Sequence, residues 1–307
     1  MSFSLPDAIG RTPLVRLRRI GAGGAPIYVK CEHLNPGASV KDRIAKAMLD
    51  DAEARGVLSP GATIVEATAG NTGVGLALLA ASRGYALVCV LPEKMSIDKR
   101  QQLALLGARV IVTANAPPSS PENFRRVAAR LALENGWFLP DQFNNPANVD
   151  AHVRGTGAEI LAALPRIAAF VAGAGTGGTI SGVGRVLKGA DPATRVVLAD
   201  PEGSGLADWV ETGRIGPDGA YAVEGIGGSE APANLHRDVI DAAVRVSDAE
   251  SFAMVRRLVQ EEGLLVGGSA GTNVAAAVRV AERADGPVVT VLPDGWDRYR
   301  AKPWMAW

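Results

Sequence analysis

The 307-residue sequence predicts an α/β fold of mostly parallel, twisted sheets flanked by helices. Short apolar segments, several of them rich in Val and Ile, alternate with segments of helical period along most of the chain. Glycine-rich turns also stand between strand-like segments and helices, as is typical of parallel sheets with helices on both faces. The length allows two domains that share a cleft, or one large unit.

The individual elements follow from these patterns. Strands are predicted at 27–31, 63–66, 87–91, 109–112, 168–172, 196–199 and 288–292. Helices are predicted at 41–55, 72–83, 96–106, 121–134, 148–163, 178–188, 248–262 and 271–283. The polar segment 141–150 is predicted as a seam between two halves. Residues 203–230 lack periodicity and are predicted to form a long functional loop.

The composition excludes several function classes. Formal net charge is zero and 21% of residues are charged, so neither nucleic-acid nor membrane binding is predicted. Residues 1–10 lack the basic start and apolar core of a signal peptide, and the longest apolar stretch, 74–81, is too short to span a bilayer. A soluble, cytoplasmic protein acting on small molecules is expected.

The positions of the cysteines and histidines also fit a cytoplasmic protein. Cys31 and Cys89 both fall in strand-like segments and are predicted to be buried free thiols in a reducing compartment. The three histidines are far apart in the chain, and no His/Cys cluster has the spacing of a zinc site, so no metal is predicted.

Lys41 lies in the run NPGASVKDR at 35–43, which is predicted to be a turn that ends in a helix start. Ser39 can cap the amides that follow. A lysine in the first helical turn opposes the helix dipole, which lowers the pKa of the amine and favours the neutral nucleophile needed for a Schiff base. The alternative for Lys41 alone is a solvated surface lysine, and the turns described next favour the chemical role.

Two further turns are suited to anions. Residues 68–73 (TAGNTG) follow a predicted strand and open a helix, so their amides form a site for a carboxylate or phosphate, unless they serve only as helix caps. Residues 173–179 (GAGTGGT) have the same arrangement. They lack the lysine of a P-loop and do not fit the dinucleotide spacing, so a single phosphate monoester is the predicted ligand.

Ser269 lies in a third turn, GGSAGT at 267–272, ahead of another predicted helix. It is either the helix N-cap or a hydroxyl that hydrogen-bonds a pyridine nitrogen without protonating it. The second role makes the ring a weak electron sink, which disfavours transamination and racemisation. When a leaving group is removed from Cβ, the ring has to hold less of the electron density. This reaction is therefore compatible with a serine at this position.

Five motifs occur in order: NPGASVKDR at 35–43, TAGNTG at 68–73, DQFNNPAN around Gln142, GTGGT at 175–179 and GGSAG at 267–271. Together they resemble the cysteine synthase / cystathionine β-synthase family of fold-type-II pyridoxal phosphate enzymes over nearly the whole chain. The stretches PEKMS, DPEGS, EGIG and EGLLVGGSAG are more similar to cystathionine β-synthase cores, whereas Phe143 is more similar to cysteine synthases. The haem-binding extension and regulatory module of some cystathionine β-synthases have no counterpart, so neither is expected.

The resemblance implies a tryptophan synthase β-like architecture and a cofactor, pyridoxal 5′-phosphate. A smaller domain would comprise residues 40–147 and a larger one residues 1–39 plus 148–307, with the cofactor in the cleft between them. It also implies a homodimer, for which Trp304 and Trp307 would either cover the interface or pack locally.

The resemblance also assigns roles. Lys41 would form the Schiff base with the cofactor and then act as acid and base, while Ser269 would contact the pyridine nitrogen. The implied cofactor-binding residues are Lys41, Asn71, Gly175, Thr176, Gly177, Gly178, Thr179 and Ser269. The implied substrate-binding residues are Thr68, Ala69, Gly70, Asn71, Thr72, Gln142 and Gly225. Ala69 replaces a common serine, and the lost side-chain hydrogen bond, on the order of 1 kcal/mol, would alter substrate preference.

The implied reaction is β-replacement on serine or an O-activated serine through an α-aminoacrylate. Homocysteine as acceptor would give cystathionine, which the motif similarity favours, and sulfide would give cysteine. Three alternatives remain open: a serine/threonine dehydratase, a homologue that keeps the fold without turnover, and a dinucleotide-binding oxidoreductase.

Overall fold

A computed structural model of the chain describes residues 4–68, 70–117 and 119–306. The described residues form two compact units. Unit 1 contains residues 4–9 and Asn35–Asn148, and unit 2 contains Gly10–Leu34 and 149–306. Unit 1 therefore includes two segments, and the single residue Asn148, that the predicted boundaries placed in the larger domain. One is a 3₁₀ turn, Leu5–Ala8, which packs on the second helix, and the other is the turn 35–39, which is hydrogen-bonded to the first helix.

The strands and helices have the following bounds. The strands are β1 Leu14–Arg16, β2 Ile27–Cys31, β3 Thr63–Ala67, β4 Ala86–Pro92, β5 Arg109–Thr113, β6 Ala169–Ala172, β7 Arg195–Pro201, β8 Ala242–Val246 and β9 Val288–Leu292. The α-helices are α1 Lys41–Ala54, α2 Asn71–Arg83, α3 Ile97–Leu105, α4 Phe124–Asn135, α5 Ala147–Ala151, α6 Ala158–Ala163, α7 Gly178–Ala190, α8 Leu206–Thr212, α9 Asp248–Glu262 and α10 Gly268–Ala281.

Unit 1 is built on the parallel sheet β3-β4-β5. Alternate strand residues face opposite sides, as the two-residue period of a strand requires. Ile64 and Leu87 pack with α1 and α2 on one side, whereas Val65 and Val88 pack with α4 on the other. Both faces of β3 and β4 are therefore buried, which explains why the cores of these two strands are apolar runs in the sequence.

Unit 2 contains a six-stranded sheet in the order β1-β2-β9-β6-β7-β8, in which only the β1–β2 pair is antiparallel. Val171 faces the layer of α9 and α10, and Phe170 faces the layer of α7 and α8. Helix α10 is buried along most of its length because it is made largely of Gly, Ala and Val and packs closely on the sheet. The predicted α/β class with mostly parallel sheets is confirmed.

Four elements differ from the sequence prediction. Strands β1 and β8 are absent from it, because β1 has three residues and β8 is interrupted by a charged residue, Arg245. The segment 203–230 is not a continuous loop, since α8 occupies 206–212. Its two turns are too short to show a helical period. The segment predicted as one helix at 148–163 instead contains a π-helical turn, His152–Gly157, between α5 and α6.

Cys31 and Cys89 are buried and unpaired, as predicted. Burial raises the pKa of the Cys31 thiol to about 11 and that of the Cys89 thiol to about 12. Neither thiol is therefore a ready nucleophile at neutral pH. Within the ranges that the structure describes, no helix has the length and apolar character needed to cross a membrane. The same residues contain no group of three or more His, Cys, Asp or Glu placed to hold a metal ion.

Candidate active site

Lys41 is the first residue of α1, at the end of a tightly bonded turn in unit 1. The Ser39 hydroxyl accepts the backbone N–H of Lys41 at 3.2 Å, but the N-cap of α1 is Val40 and the helix has no side-chain cap. Asp42 Oδ2 accepts the N–H of Gly37 at 2.5 Å, and Ala38 has a left-handed backbone with φ of 55°. Asp42 thereby ties the turn to the helix and holds the Lys41 backbone in place.

The structure brings Thr72 and Gln142 together, although 70 residues separate them in the chain. The Thr72 hydroxyl donates to Gln142 Oε1 at 2.6 Å, and both residues are buried. Asn148 donates from Nδ2 to the Gln142 carbonyl oxygen at 2.7 Å. Two residues of the implied carboxylate site are thus held against each other within unit 1.

The remaining residues of this turn lie around the start of α2. Gly70 precedes the helix, and its N–H donates to Thr68 Oγ1 at 3.2 Å. Asn71 is the first residue of α2, and the first turns of α1 and α2 meet where Gly75 faces Asp42. Ala69 lies outside the described residues. The helix starts that carry Lys41 and Asn71 are therefore neighbours.

Glu66, which the sequence did not single out, lies beneath this turn at the end of β3. It is 3% exposed, and its Oε1 accepts the N–H of Ala67 at 3.0 Å. Burial raises the pKa of the Glu66 carboxyl to about 7. The amide of Ala67 lowers this pKa, the Asp141 carboxylate raises it, and the amides of Gln142 and Asp141 lower it. A glutamate within the apolar run TIVEA was the only signal in the sequence.

In unit 2, the glycine loop 173–177 leads into α7, and residues from other parts of unit 2 pack against it. Asn273 of α10 accepts the N–H of Gly173 through Oδ1 at 2.7 Å. A Cβ at Gly175 would lie 2.3 Å from the carbonyl oxygen of Gly225, so no larger residue fits there. Gly177 has φ of 87°, in the left-handed region that favours glycine. The structure thus places the implied phosphate loop against Gly225 of the implied substrate loop.

The two threonines that follow the glycines of this loop lie in different surroundings. Thr176 is buried, and Gly178 begins α7 without a side-chain cap on its N-terminal amides. Thr179 is the second residue of α7, and its Oγ1 lies 3.2 Å from His152 Nε2. His152 is a second residue that the sequence missed. The only signal was the Gly-Thr-Gly run at 155–157, which interrupts a predicted helix.

Ser269 is the second residue of α10, whose N-cap is Gly267. The alternative interpretation of Ser269 as the cap is therefore wrong. Ser269 is 3% exposed, and its hydroxyl makes no hydrogen bond to any residue that the structure describes. The hydroxyl is therefore available to hydrogen-bond a ligand atom.

The C-terminal segment packs beside the Ser269 turn. Tyr299 donates to Asp294 Oδ2 at 2.7 Å, and the Asp294 carbonyl accepts the N–H of Gly267 at 3.1 Å. Trp304 stacks on Phe252 with ring centroids 4.4 Å apart. Trp304 therefore packs locally, its contribution to an interface stays a prediction, and Trp307 lies outside the described residues.

Parallel α/β units, a lysine at a helix start and a glycine loop before another helix are the features of a fold-type-II pyridoxal phosphate enzyme. The chain matches the family model "Pyridoxal-phosphate dependent enzyme" over residues 5–294 and belongs to this family. Its relatives include cysteine synthases and cystathionine beta-synthases. The predicted family and cofactor are confirmed.

Individual relatives differ in the share of their length that the chain matches. Cystathionine beta-synthase of Apis mellifera is 46% identical over 310 residues, which are 97% of this chain but only 61% of that protein. Cysteine synthase of Staphylococcus aureus (strain Mu50 / ATCC 700699) is 41% identical over 305 residues, covering 98% of this chain and 96% of the relative. A crystal structure of O-acetylserine dependent cystathionine beta-synthase from Helicobacter pylori has a TM-score of 0.89 at 37% identity and covers 98% of both chains.

The residues present fit the cofactor. The Ser269 hydroxyl lacks a partner among the described residues, and it suits a pyridine nitrogen, which is an acceptor. The first turn of α7 has no side-chain cap, which suits a phosphate at its N-terminus.

Proposed function

We propose that the protein catalyses β-replacement on L-serine or an O-activated L-serine, with a thiol or sulfide as the incoming nucleophile. The observation that carries the proposal is Ser269, whose buried hydroxyl stands in the first turn of α10 without capping it. A hydroxyl at the pyridine nitrogen leaves the ring unprotonated. That environment favours rapid loss of a Cβ substituent over chemistry that stores the electron pair in the ring.

Pyridoxal phosphate, when bound, supplies the electron sink that makes the Cα proton of the substrate acidic. Lys41 Nζ would hold the cofactor through its aldehyde carbon. When it is not bonded to the cofactor, the same Nζ would take the proton from the substrate Cα. Asn71 would hydrogen-bond the phenolic oxygen, Gly175 to Thr179 would hold the phosphate, and Ser269 would donate to the pyridine nitrogen.

Thr72 and Gln142 would orient the substrate through its carboxylate. Their direct hydrogen bond supports this role, because a pair already held together loses little further freedom when it binds an anion. With the carboxylate fixed, the Cα–H bond is aligned for proton transfer to Lys41. Thr68, Ala69 and Gly70 would add backbone and side-chain donors, and Gly225 would border the pocket for the Cβ substituent.

Among acceptors, we favour homocysteine, which would give cystathionine. The similarity to the Apis mellifera enzyme and to the Helicobacter pylori structure supports this choice. Sulfide, which would give cysteine, is the alternative, supported by the near full-length match to the Staphylococcus aureus enzyme. The family resemblance further supports a cytoplasmic homodimer, which cell fractionation and sedimentation velocity would test.

The deciding experiment is a product assay that crosses serine, O-acetylserine and O-phosphoserine with sulfide and homocysteine. A thioether or cysteine product that Lys41→Ala abolishes would support the proposal. Lys46→Ala is the matched control, because Lys46 lies on the same helix but pairs with Asp50. Release of a keto acid without β-replacement would identify a dehydratase and overturn the proposal.

A further inference from the structure

His152 occupies the first position of the π-helical turn and is 1% exposed. Each ring nitrogen faces a threonine hydroxyl. Nδ1 lies 2.9 Å from Thr156 Oγ1, and Nε2 lies 3.2 Å from Thr179 Oγ1. The imidazole therefore connects a buried threonine to the first turn of α7, where the proposed phosphate site lies.

The backbone near His152 allows the close approach of α7 that this connection requires. Thr179 and Gly182 are three residues apart and so share one face of α7. A Cβ at Gly182 would lie 2.7 Å from His152 Cβ and 2.6 Å from the Val149 carbonyl oxygen, so α7 can approach the π-helical turn only with glycine at this position. π-Helical turns are uncommon and often occur at functional sites.

The tautomer of His152 follows from the hydrogen bonds of Thr156. Thr156 is completely buried, and within the described residues its hydroxyl bonds only to His152 Nδ1. A buried hydroxyl must place its proton on an acceptor, so Nδ1 accepts. In a neutral imidazole the proton then resides on Nε2, which donates to Thr179 Oγ1. The Thr179 proton is consequently directed away from the imidazole and is available to another acceptor.

We propose that His152 is a positioning residue that, held in one tautomer by Thr156, directs the Thr179 hydroxyl proton toward the cofactor phosphate. Phosphate oxygens only accept hydrogen bonds, so a threonine whose proton pointed at the imidazole would face the phosphate with its lone pairs. The inference rests on the proposed function, in which Thr179 binds the phosphate.

The test compares three single variants and one double variant of the holoenzyme. Thr156→Val removes the hydroxyl at nearly constant shape, Thr156→Ser keeps it, and Thr179→Val removes the proposed phosphate ligand. The first readout is the rate at which the diluted holoenzyme loses the visible absorption of its cofactor. We expect about tenfold faster loss in Thr156→Val and in Thr179→Val, a wild-type rate in Thr156→Ser, and no further increase when the two valine substitutions are combined.

The second readout is the ¹⁵N spectrum of the imidazoles in the wild-type holoenzyme, which has three histidines. We expect His152 to be neutral with its proton on Nε2, and a proton on Nδ1 would overturn the inference even if every variant unfolded. Wild-type cofactor retention in Thr156→Val alone would also overturn it. Wild-type retention in Thr179→Val would instead remove Thr179 from the proposed phosphate site, a separate failure.

Discussion

Ser269 places a neutral hydroxyl in the first turn of a buried helix, a position where an aspartate would be tolerated by the helix dipole. Ser269→Asp should therefore fold but hold a proton on the pyridine nitrogen. We expect the β-replacement rate to fall at least tenfold, or about 1.4 kcal/mol in activation free energy. The measurement is kcat for the best donor and acceptor, together with the free energy of unfolding.

Ser269→Ala is the matched control for this prediction. It removes the hydroxyl without adding charge, so it should weaken cofactor binding while causing a smaller loss of kcat than the aspartate. Equal rates in wild type, Ser269→Ala and Ser269→Asp would exclude contact between residue 269 and the ring.

The Thr72–Gln142 hydrogen bond provides a second residue-scale prediction. Thr72→Val leaves the buried Gln142 Oε1 without the hydroxyl that lies 2.6 Å away in the native chain. We expect roughly a tenfold higher KM for the amino-acid donor, since a lost hydrogen bond in a buried site costs about 1–3 kcal/mol. Cofactor retention should be unchanged.

Thr72→Ser keeps the hydroxyl and should keep the native KM. A Thr72→Val enzyme that loses its cofactor while binding substrate normally would contradict the assignment of this pair to the substrate carboxylate.

Residues of the candidate site could be predicted from sequence only where they lie in a turn whose own residues indicate a helix start. This is true of three residues that each follow a turn whose residue types predict a helix start: Lys41, Asn71 and Ser269. The pairing of Thr72 with Gln142 depends on tertiary contacts across 70 residues and has no local pattern. Glu66 and His152 occupy buried positions within a strand and a helix, where a polar residue is ordinarily assigned to structure.

At the scale of elements, the glycine loop 173–177 and the loop that contains Gly225 are in direct backbone contact. Gly175→Ala would place a methyl group 2.3 Å from the Gly225 carbonyl oxygen, so one of the two loops must move. We expect faster cofactor loss and a decrease of roughly 1–3 kcal/mol in the free energy of unfolding. Cofactor absorption after gel filtration and urea titration measure these two effects.

Gly189→Ala is the matched control, because a Cβ there meets no atom within 4 Å. In the last turn of α7 it should stabilise the protein by roughly 0.5–1 kcal/mol and leave cofactor retention unchanged. If Gly175→Ala behaved in the same way, the loop would not need its close approach to Gly225.

The sequence correctly predicted the strands and helices that are long and whose buried residues recur at a regular period. The seven predicted strands all occur, and most of them are apolar runs because both of their faces are covered. Helix α8 has seven residues and β1 has three, so neither offers enough positions to reveal a period. The π-helical turn was missed because it keeps a helical pattern while inserting one residue per turn.

At the scale of the whole molecule, two buried carboxyls make the stability depend on pH. Burial raises the pKa of Glu66 from 4.5 to about 7, and that of Asp200 from 3.8 to about 6. Between the unfolded and folded values, the folded chain retains a proton that the unfolded chain has lost. The free energy of unfolding therefore falls as pH rises through this interval and is no longer affected by these groups above about pH 7.

Glu66→Gln should remove the Glu66 part of this dependence. The glutamine stays uncharged at every pH, so the difference in unfolding free energy between variant and wild type should grow in favour of the variant from about pH 4.5 to pH 7. A full shift from 4.5 to about 7 corresponds to on the order of 3 kcal/mol. Urea titrations across this range measure it, with Glu122→Gln at an exposed position as control. A constant difference would mean that the pKa of Glu66 is the same in the folded and the unfolded chain. Because the turn at 68–72 follows Glu66 directly, a pH-dependent KM in wild type that disappears in Glu66→Gln would connect this buried carboxyl to the proposed substrate site.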